Sequence, residues 1–117
     1  MKRASETEVR PSRESLANRY SGKTVVAIGA HPDDLEIGIG GTLAKLQRGG
    51  AHVVMCVASI PKDYDVRLAE ARLGAEILGC ELKLLMDGGP KRLEDVKTCD
   101  LVGLLDGIIK EYKPAAV

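Results

Sequence analysis

The stretch Thr24-Val25-Val26-Ala27-Ile28-Gly29 runs directly into Ala30-His31-Pro32-Asp33-Asp34-Leu35-Glu36, and the junction decides how the rest of the chain reads. Val25-Val26-Ala27-Ile28 is apolar without alternation, the pattern of a strand covered on both faces, as in a parallel sheet. Behind it, one imidazole and three carboxylates crowd into the segment from His31 to Glu36. Adjacent carboxylates repel unless a cation or hydrogen-bond donors compensate. A polar cluster at the carboxyl end of a buried strand lies where open α/β sheets place their ligand crevices.

Outward from this junction, strand and helix signals alternate. Residues 42–48 read as a short helix stopped by Gly49-Gly50, and residues 53–57 as a second buried strand. Residues 65–78 predict a helix whose inward face is Val66, Ala69, Leu73 and Ile77, closed by Gly79. A third strand is expected at 82–85, followed by the loop Asp87-Gly88-Gly89-Pro90. A long helix at 94–112 carries Leu101, Leu104, Leu105, Ile108 and Tyr112 at helical spacing. Pro114 blocks its continuation, and residues 115–117 read as the beginning of a fourth strand. Short links between alternating strands and helices imply right-handed crossovers. The expected fold is therefore α/β and Rossmann-like, a parallel sheet with flanking helices, truncated after the start of the fourth strand. Residues 1–22 read as a flexible polar arm, with a short helix near 16–20, and residues 23–117 as a partial Rossmann-like domain.

Bulk properties narrow the function classes. A chain of 117 residues with 44% hydrophobic and 29% charged residues is one globular domain at most, not a disordered segment. Its 17 basic residues equal its 17 acidic ones, so the basic excess of a phosphate-binding nucleic-acid partner is missing. No apolar run suits a signal peptide or membrane span. Cys56, Cys80 and Cys99 form no CxxC pair and read as reduced thiols, Cys56 within a buried run. A cytoplasmic protein is expected.

Histidine nitrogen and carboxylate oxygen suit zinc, and a catalytic zinc commonly takes three protein ligands plus water. Pro32 bends the chain after His31, and a turn there can aim His31 and Asp34 at one point with Asp33 nearby. The competing reading is a helix-capping turn whose polar groups bond locally. Glu36 is either an acceptor orienting His31 or a charge near a helix N-terminus. Gly38, Gly40 and Gly41 read as backbone devices where the turn enters the helix. A dinucleotide fingerprint fails here, because Leu43 takes the third glycine position and no acidic residue closes the second strand. Arg67 and Glu70, three apart on a helix, suit an ion pair as well as a site. His52 falls at the amino end of the second strand, away from the cluster, whereas Lys62 and Tyr64 follow that strand on the same side as the cluster.

Ala30-His31-Pro32-Asp33-Asp34, with Glu36 and Gly40-Gly41 before a helix, closely resembles the signature of the PIG-L/LmbE-like de-N-acetylases. Val66-Arg67-Leu68-Ala69-Glu70 with the closing Leu78-Gly79 is similar to that family's Arg-x-x-Glu helix, and Lys113-Pro114 before an apolar strand also matches. The resemblance runs from about Thr24 to Val117. It implies Zn2+ as cofactor, with His31 and Asp34 as ligands, and Asp33 as the general base toward the attacking water. It further implies that Arg67 binds substrate, and that residues 23–117 form a partial deacetylase domain. The reaction it implies is hydrolysis of the acetamide of an N-acetylglucosamine-type substrate, a small acylated amino sugar or glycoconjugate. The family's third zinc ligand is a histidine in a segment following the fourth strand, and Val117 stands where that segment would begin. The alternative is a non-catalytic fragment that keeps the fold without a complete zinc site. An open sheet edge would want covering, which a homo-oligomer provides.

Overall fold

In the computed structural model, residues 18–117 are described, so most of the expected arm at 1–22 lies outside the described residues. Of the short helix expected at 16–20, Asn18 and Arg19 are helical and Tyr20 lies in a turn. Tyr20 already packs against the core, and the Gly22 amide donates to the Gly50 carbonyl at 2.9 Å.

The elements in order are β1 (Thr24–Gly29), α1 (Asp34–Arg48), β2 (His52–Val57), α2 (Tyr64–Leu78) and β3 (Glu81–Leu84). A 3-10 turn (Leu93–Asp95) and α3 (Thr98–Tyr112) complete them. The three strands pair in parallel in the order β1-β2-β3, with Thr24 opposite His52 and Val54 opposite Glu81. A single parallel bridge joins Val25 to Ala116, on the edge of β1 away from β2. The chain thus reaches the expected fourth-strand position beside β1, the reversal of strand order that opens a crevice at the carboxyl ends of the strands.

Unbroken apolar runs in β1 and β2 serve two cores at once. Val25, Ala27, Val53 and Met55 face α1 and α2, meeting Leu35, Leu43, Leu46 and Ala75. Val26, Val54 and Cys56 face the other way, toward Ile108 with Leu101, Leu105 and Tyr112 of α3. Each fully buried side chain of this kind contributes about 1.5–3 kcal/mol. Burial also pushes the Cys56 thiol up to about 11, so it stays protonated and inert, as its place in the run predicts.

Four expectations change in the structure. The first helix begins at Asp34, not at residue 42, and absorbs the glycines instead of following them. Gly38, Gly40 and Gly41 therefore adopt no positive φ; Ile39 between them (φ −140°, ψ 19°) marks a kink, as glycine-rich helix segments allow. The last helix starts at Thr98, because residues 93–95 form a separate 3-10 turn. Within that helix Leu104 is exposed, while Leu101, Leu105 and Ile108 carry the packing.

The largest change is on α2. The stripe expected to face inward is solvent-facing, with Val66 61%, Leu73 58% and Ile77 75% exposed. The buried side is made of Ala71 and Ala75 instead. Hydrophobic periodicity selects the bulkier stripe, but close packing beside α1 and β3 selects the small one. At the end of α2, Gly79 takes φ 77° and caps the helix from the left-handed region.

Candidate functional site

β1 ends at Gly29, where a Cβ would lie 3.0 Å from Leu35 Cγ. Glycine at this position lets the first turn of α1 fold back against the strand end. The segment behind it is tied to the loop after β2: the Ala58 amide donates to the Gly29 carbonyl and the Ser59 amide to the Ala30 carbonyl, both at 2.9 Å. Ser59 Oγ donates to the same Ala30 carbonyl at 3.3 Å.

Asp33 then adopts φ 77°, ψ −20°, in the left-handed region that aspartate tolerates better than most residues. It caps α1 through its backbone, its carbonyl accepting the Ile37 amide at 3.0 Å. Its side chain makes no capping hydrogen bond. Asp33 Oδ2 instead lies 3.6 Å from Arg67 Nη1, and Arg67 reaches Glu70 Oε1 at 3.2 Å. The Arg67–Glu70 ion pair is therefore real, and it leans over Asp33 as well.

Asp34 Oδ2 accepts the His31 backbone amide at 2.9 Å and stands 3.9 Å from His31 Nδ1. The local turn and the converging donor pair coexist: one carboxylate shapes the turn and faces the imidazole. Both side chains are about half exposed, at 46% and 51%, so neither is locked into the core. Two ligands on one tetrahedral zinc sit ~3.3 Å apart by its bond lengths, so His31 and Asp34 fit two positions of such an ion after a small rotation. Among the described residues, no group of three or more His, Cys, Asp or Glu side chains converges to hold a metal.

Glu36 is not brought together with His31. It turns toward α2, where a Cβ on Gly74 would come within 2.8 Å of Glu36 Oε2. Its Oε1 is buried without a hydrogen-bond partner among the described residues. The site residues His31, Asp33, Asp34 and Arg67 do come together, whereas Glu36 marks the α1–α2 contact.

Two adjoining cavities open at this end of the sheet. One of about 290 Å³ is lined by His31, Asp33, Ile60, Lys62 and Arg67, among others. A second, of about 460 Å³, is lined by His31, Pro61, Lys62, Arg92 and Glu94. Arg92 and Glu94 pair at 2.9 Å. The Glu94 carboxyl is held below the usual range by its own backbone amide first, then by Arg92, with a smaller contribution from the His31 charge. Sequence reasoning missed Arg92 and Glu94. Their position after the third strand was a usable signal, but the helix expected from residue 94 hid it. Tyr64, by contrast, donates to Asp87 Oδ1 at 3.3 Å and ties the start of α2 to the loop after β3.

Chemically, the arrangement offers a histidine–carboxylate pair for a cation, a second carboxylate poised to take a proton, and cationic walls for a polar substrate. Among the described residues no helix is long and apolar enough to cross a membrane. The family model described as PIG-L, GlcNAc-PI de-N-acetylase, matches residues 26–117. The chain is also 36% identical over 107 residues to the uncharacterized deacetylase YaiS of Escherichia coli (strain K12). That similarity covers 88% of this chain and 56% of the relative, so the chain spans little more than half the relative's length.

Proposed function

The chain belongs to the PIG-L family, and on that premise we propose that it hydrolyses the acetamide of an N-acetylglucosamine-type substrate, releasing acetate and a free amine. The observation that carries this reading is the convergence of His31 Nδ1 and Asp34 Oδ2, 3.9 Å apart, with Asp33 beside them at the carboxyl end of β1.

His31 and Asp34 would hold zinc. When bound, zinc supplies positive charge that polarises the amide carbonyl and acidifies water toward neutral pH. The rest of the chemistry falls to this chain's own side chains. Asp33 accepts the proton of the attacking water at a carboxylate oxygen, then returns it to the leaving amine. Its left-handed backbone holds that carboxylate toward the cleft instead of over the helix end. Arg67, braced by Glu70, keeps donors facing Asp33 and binds polar groups of the substrate. Ile60 and Pro61 form the apolar wall opposite. The substrate is a small acylated amino sugar or glycoconjugate, and the setting is cytoplasmic, in keeping with three free cysteines.

A second reading is a family member that keeps the fold without a working zinc site. It draws on the two metal-type ligands seen where a catalytic zinc commonly takes three. Zinc content by elemental analysis, paired with acetate release from N-acetylglucosamine derivatives, separates the two. The proposed function predicts near one zinc per chain and acetate release that a chelator abolishes. Zinc-poor protein that releases no acetate after zinc is restored overturns it in favour of the second reading.

A further inference from the structure

Among the described residues, the two most exposed large apolar side chains are Ile37 on α1, at 84%, and Ile77 on α2, at 75%. Between these two helices runs a groove of about 350 Å³, lined by Gly40, Gly41 and Ala44 from α1 and by Gly74, Ile77 and Leu78 from α2. Leu73, also exposed, lies one turn before Ile77. Bulky apolar side chains in water beside an open apolar groove make a surface that association would cover.

A second observation falls in the same groove. Glu36 lines it, and Gly74 makes room for that side chain, since a Cβ there would come within 2.8 Å of Glu36 Oε2. Glu36 Oε1 is buried with no hydrogen-bond partner among the described residues. A carboxylate oxygen removed from water without a donor is costly, so the groove calls for a cation as well as for apolar cover.

The order of charges along α1 identifies the occupant. Asp34 and Glu36 are acidic in its first turn, and Lys45 and Arg48 are basic in its last. That order complements itself when two copies of α1 run antiparallel, and the helix dipoles then oppose favourably as well. A two-fold axis passing between Gly40 and Gly41 sets Glu36 opposite the partner's Lys45, and Ile37 opposite the partner's Ala44. Near that axis Gly41 has nothing within 4 Å of where a Cβ would stand, so the two backbones can approach closely.

We propose that this face is the interface of a homodimer. Across a two-fold axis α1 packs antiparallel on its counterpart, Ile37 enters the partner's groove, and Lys45 of the partner subunit answers the Glu36 carboxylate. Each contact is made twice, as the symmetry requires. The interface is independent of the chemistry at His31.

Sedimentation equilibrium of the full chain provides the test. The expected result is a dimer at about 50 µM that dissociates on dilution. Ile37→Asp and Ile77→Asp each weaken it at least about tenfold while keeping the wild-type far-UV circular dichroism, because both side chains are exposed in the single chain. Val102→Asp, at a comparably exposed apolar position on α3, leaves it intact. Lys45→Ala weakens the dimer several-fold in wild type but hardly at all in a Glu36→Gln background, the coupling expected of a contacting pair. In a Cys99→Ser background, Gly41→Cys forms a disulfide-linked dimer on mild oxidation, whereas Gly103→Cys on α3 does not. A monomer at 50 µM or so, or a dimer indifferent to both Ile37→Asp and Ile77→Asp, overturns the proposal. A dimer that crosslinks through Gly103→Cys and not through Gly41→Cys overturns it equally.

Discussion

The two histidines of this chain sit at opposite ends of the same sheet, in opposite chemical situations. His52, at the start of β2, is held by close partners: Glu81 Oε1 at 2.9 Å and Thr24 Oγ1 at 3.4 Å. Glu81 in turn accepts the Tyr112 hydroxyl at 2.6 Å, so the cluster joins all three strands to α3. His31, beyond β1, has a carboxylate only within 3.9 Å of its ring, and it borders two cavities. The first imidazole has used its hydrogen-bonding capacity on the fold. The second makes no ring hydrogen bond among the described residues. Exposure does not separate them, since both side chains are about half exposed; the partners do.

The sharpest break in that comparison is metal binding. Asp34→Ala is expected to weaken zinc binding by more than about 100-fold, beyond what loss of a supporting contact costs. His52→Ala should leave zinc binding unchanged and lower unfolding free energy by about 0.5–1.5 kcal/mol, read by urea denaturation. Equal zinc affinity in wild type and Asp34→Ala would erase the distinction between the two ends.

A finer test separates backbone from side chain at Asp33. Asparagine also tolerates the left-handed region, so Asp33→Asn should fold with nearly wild-type stability while losing about 100-fold or more of acetate release. Asp33→Ala should lose similar activity and a further ~1 kcal/mol of stability, measured by thermal unfolding, because alanine is strained at φ 77°. Equal stability of the two variants would show that the turn relaxes.

The smallest effect belongs to the amino end and is a matter of pH. Glu81 is held below its ordinary value of 4.5, first by the Tyr112 hydrogen bond and then by His52. Its lowered folded value means the stabilisation is complete above about pH 4.5 and fades as pH falls through that lowered value. Tyr112→Phe should therefore cost less than about 1 kcal/mol at pH 6, given how exposed the group is, and still less at pH 3. Urea midpoints of both proteins at the two pH values read this directly. A penalty that does not shrink in acid would show that the hydroxyl's contribution does not depend on the charge of Glu81.

How much of this was legible in the residues follows from which forces act locally. The buried strands could be read because Val25 to Ile28 and Val53 to Val57 are apolar without alternation, which requires cover on both faces. The site could be placed because a polar cluster follows such a strand. What could not be read depended on neighbours distant in sequence. The buried side of α2 is decided by how closely α1 approaches, and nothing within residues 65–78 encodes that distance. Arg92 and Glu94 join the cleft only through the arch of the chain beyond β3. Proximity along the chain left Glu36 open between a partner of His31 and a charge near the helix start, and only the fold shows it turned toward Gly74.

The bridge between Val25 and Ala116 has a consequence in time rather than in energy. The pairings β1 with β2 and β2 with β3 each close a single crossover, whereas this bridge closes a loop through nearly the whole described chain. Loop entropy grows only with the logarithm of length, so the contact is not expensive to hold, but it is slow to find. The edge at the amino end of β1, opposite the site, is therefore expected to be the last part of the sheet to be completed, after the three paired strands already stand.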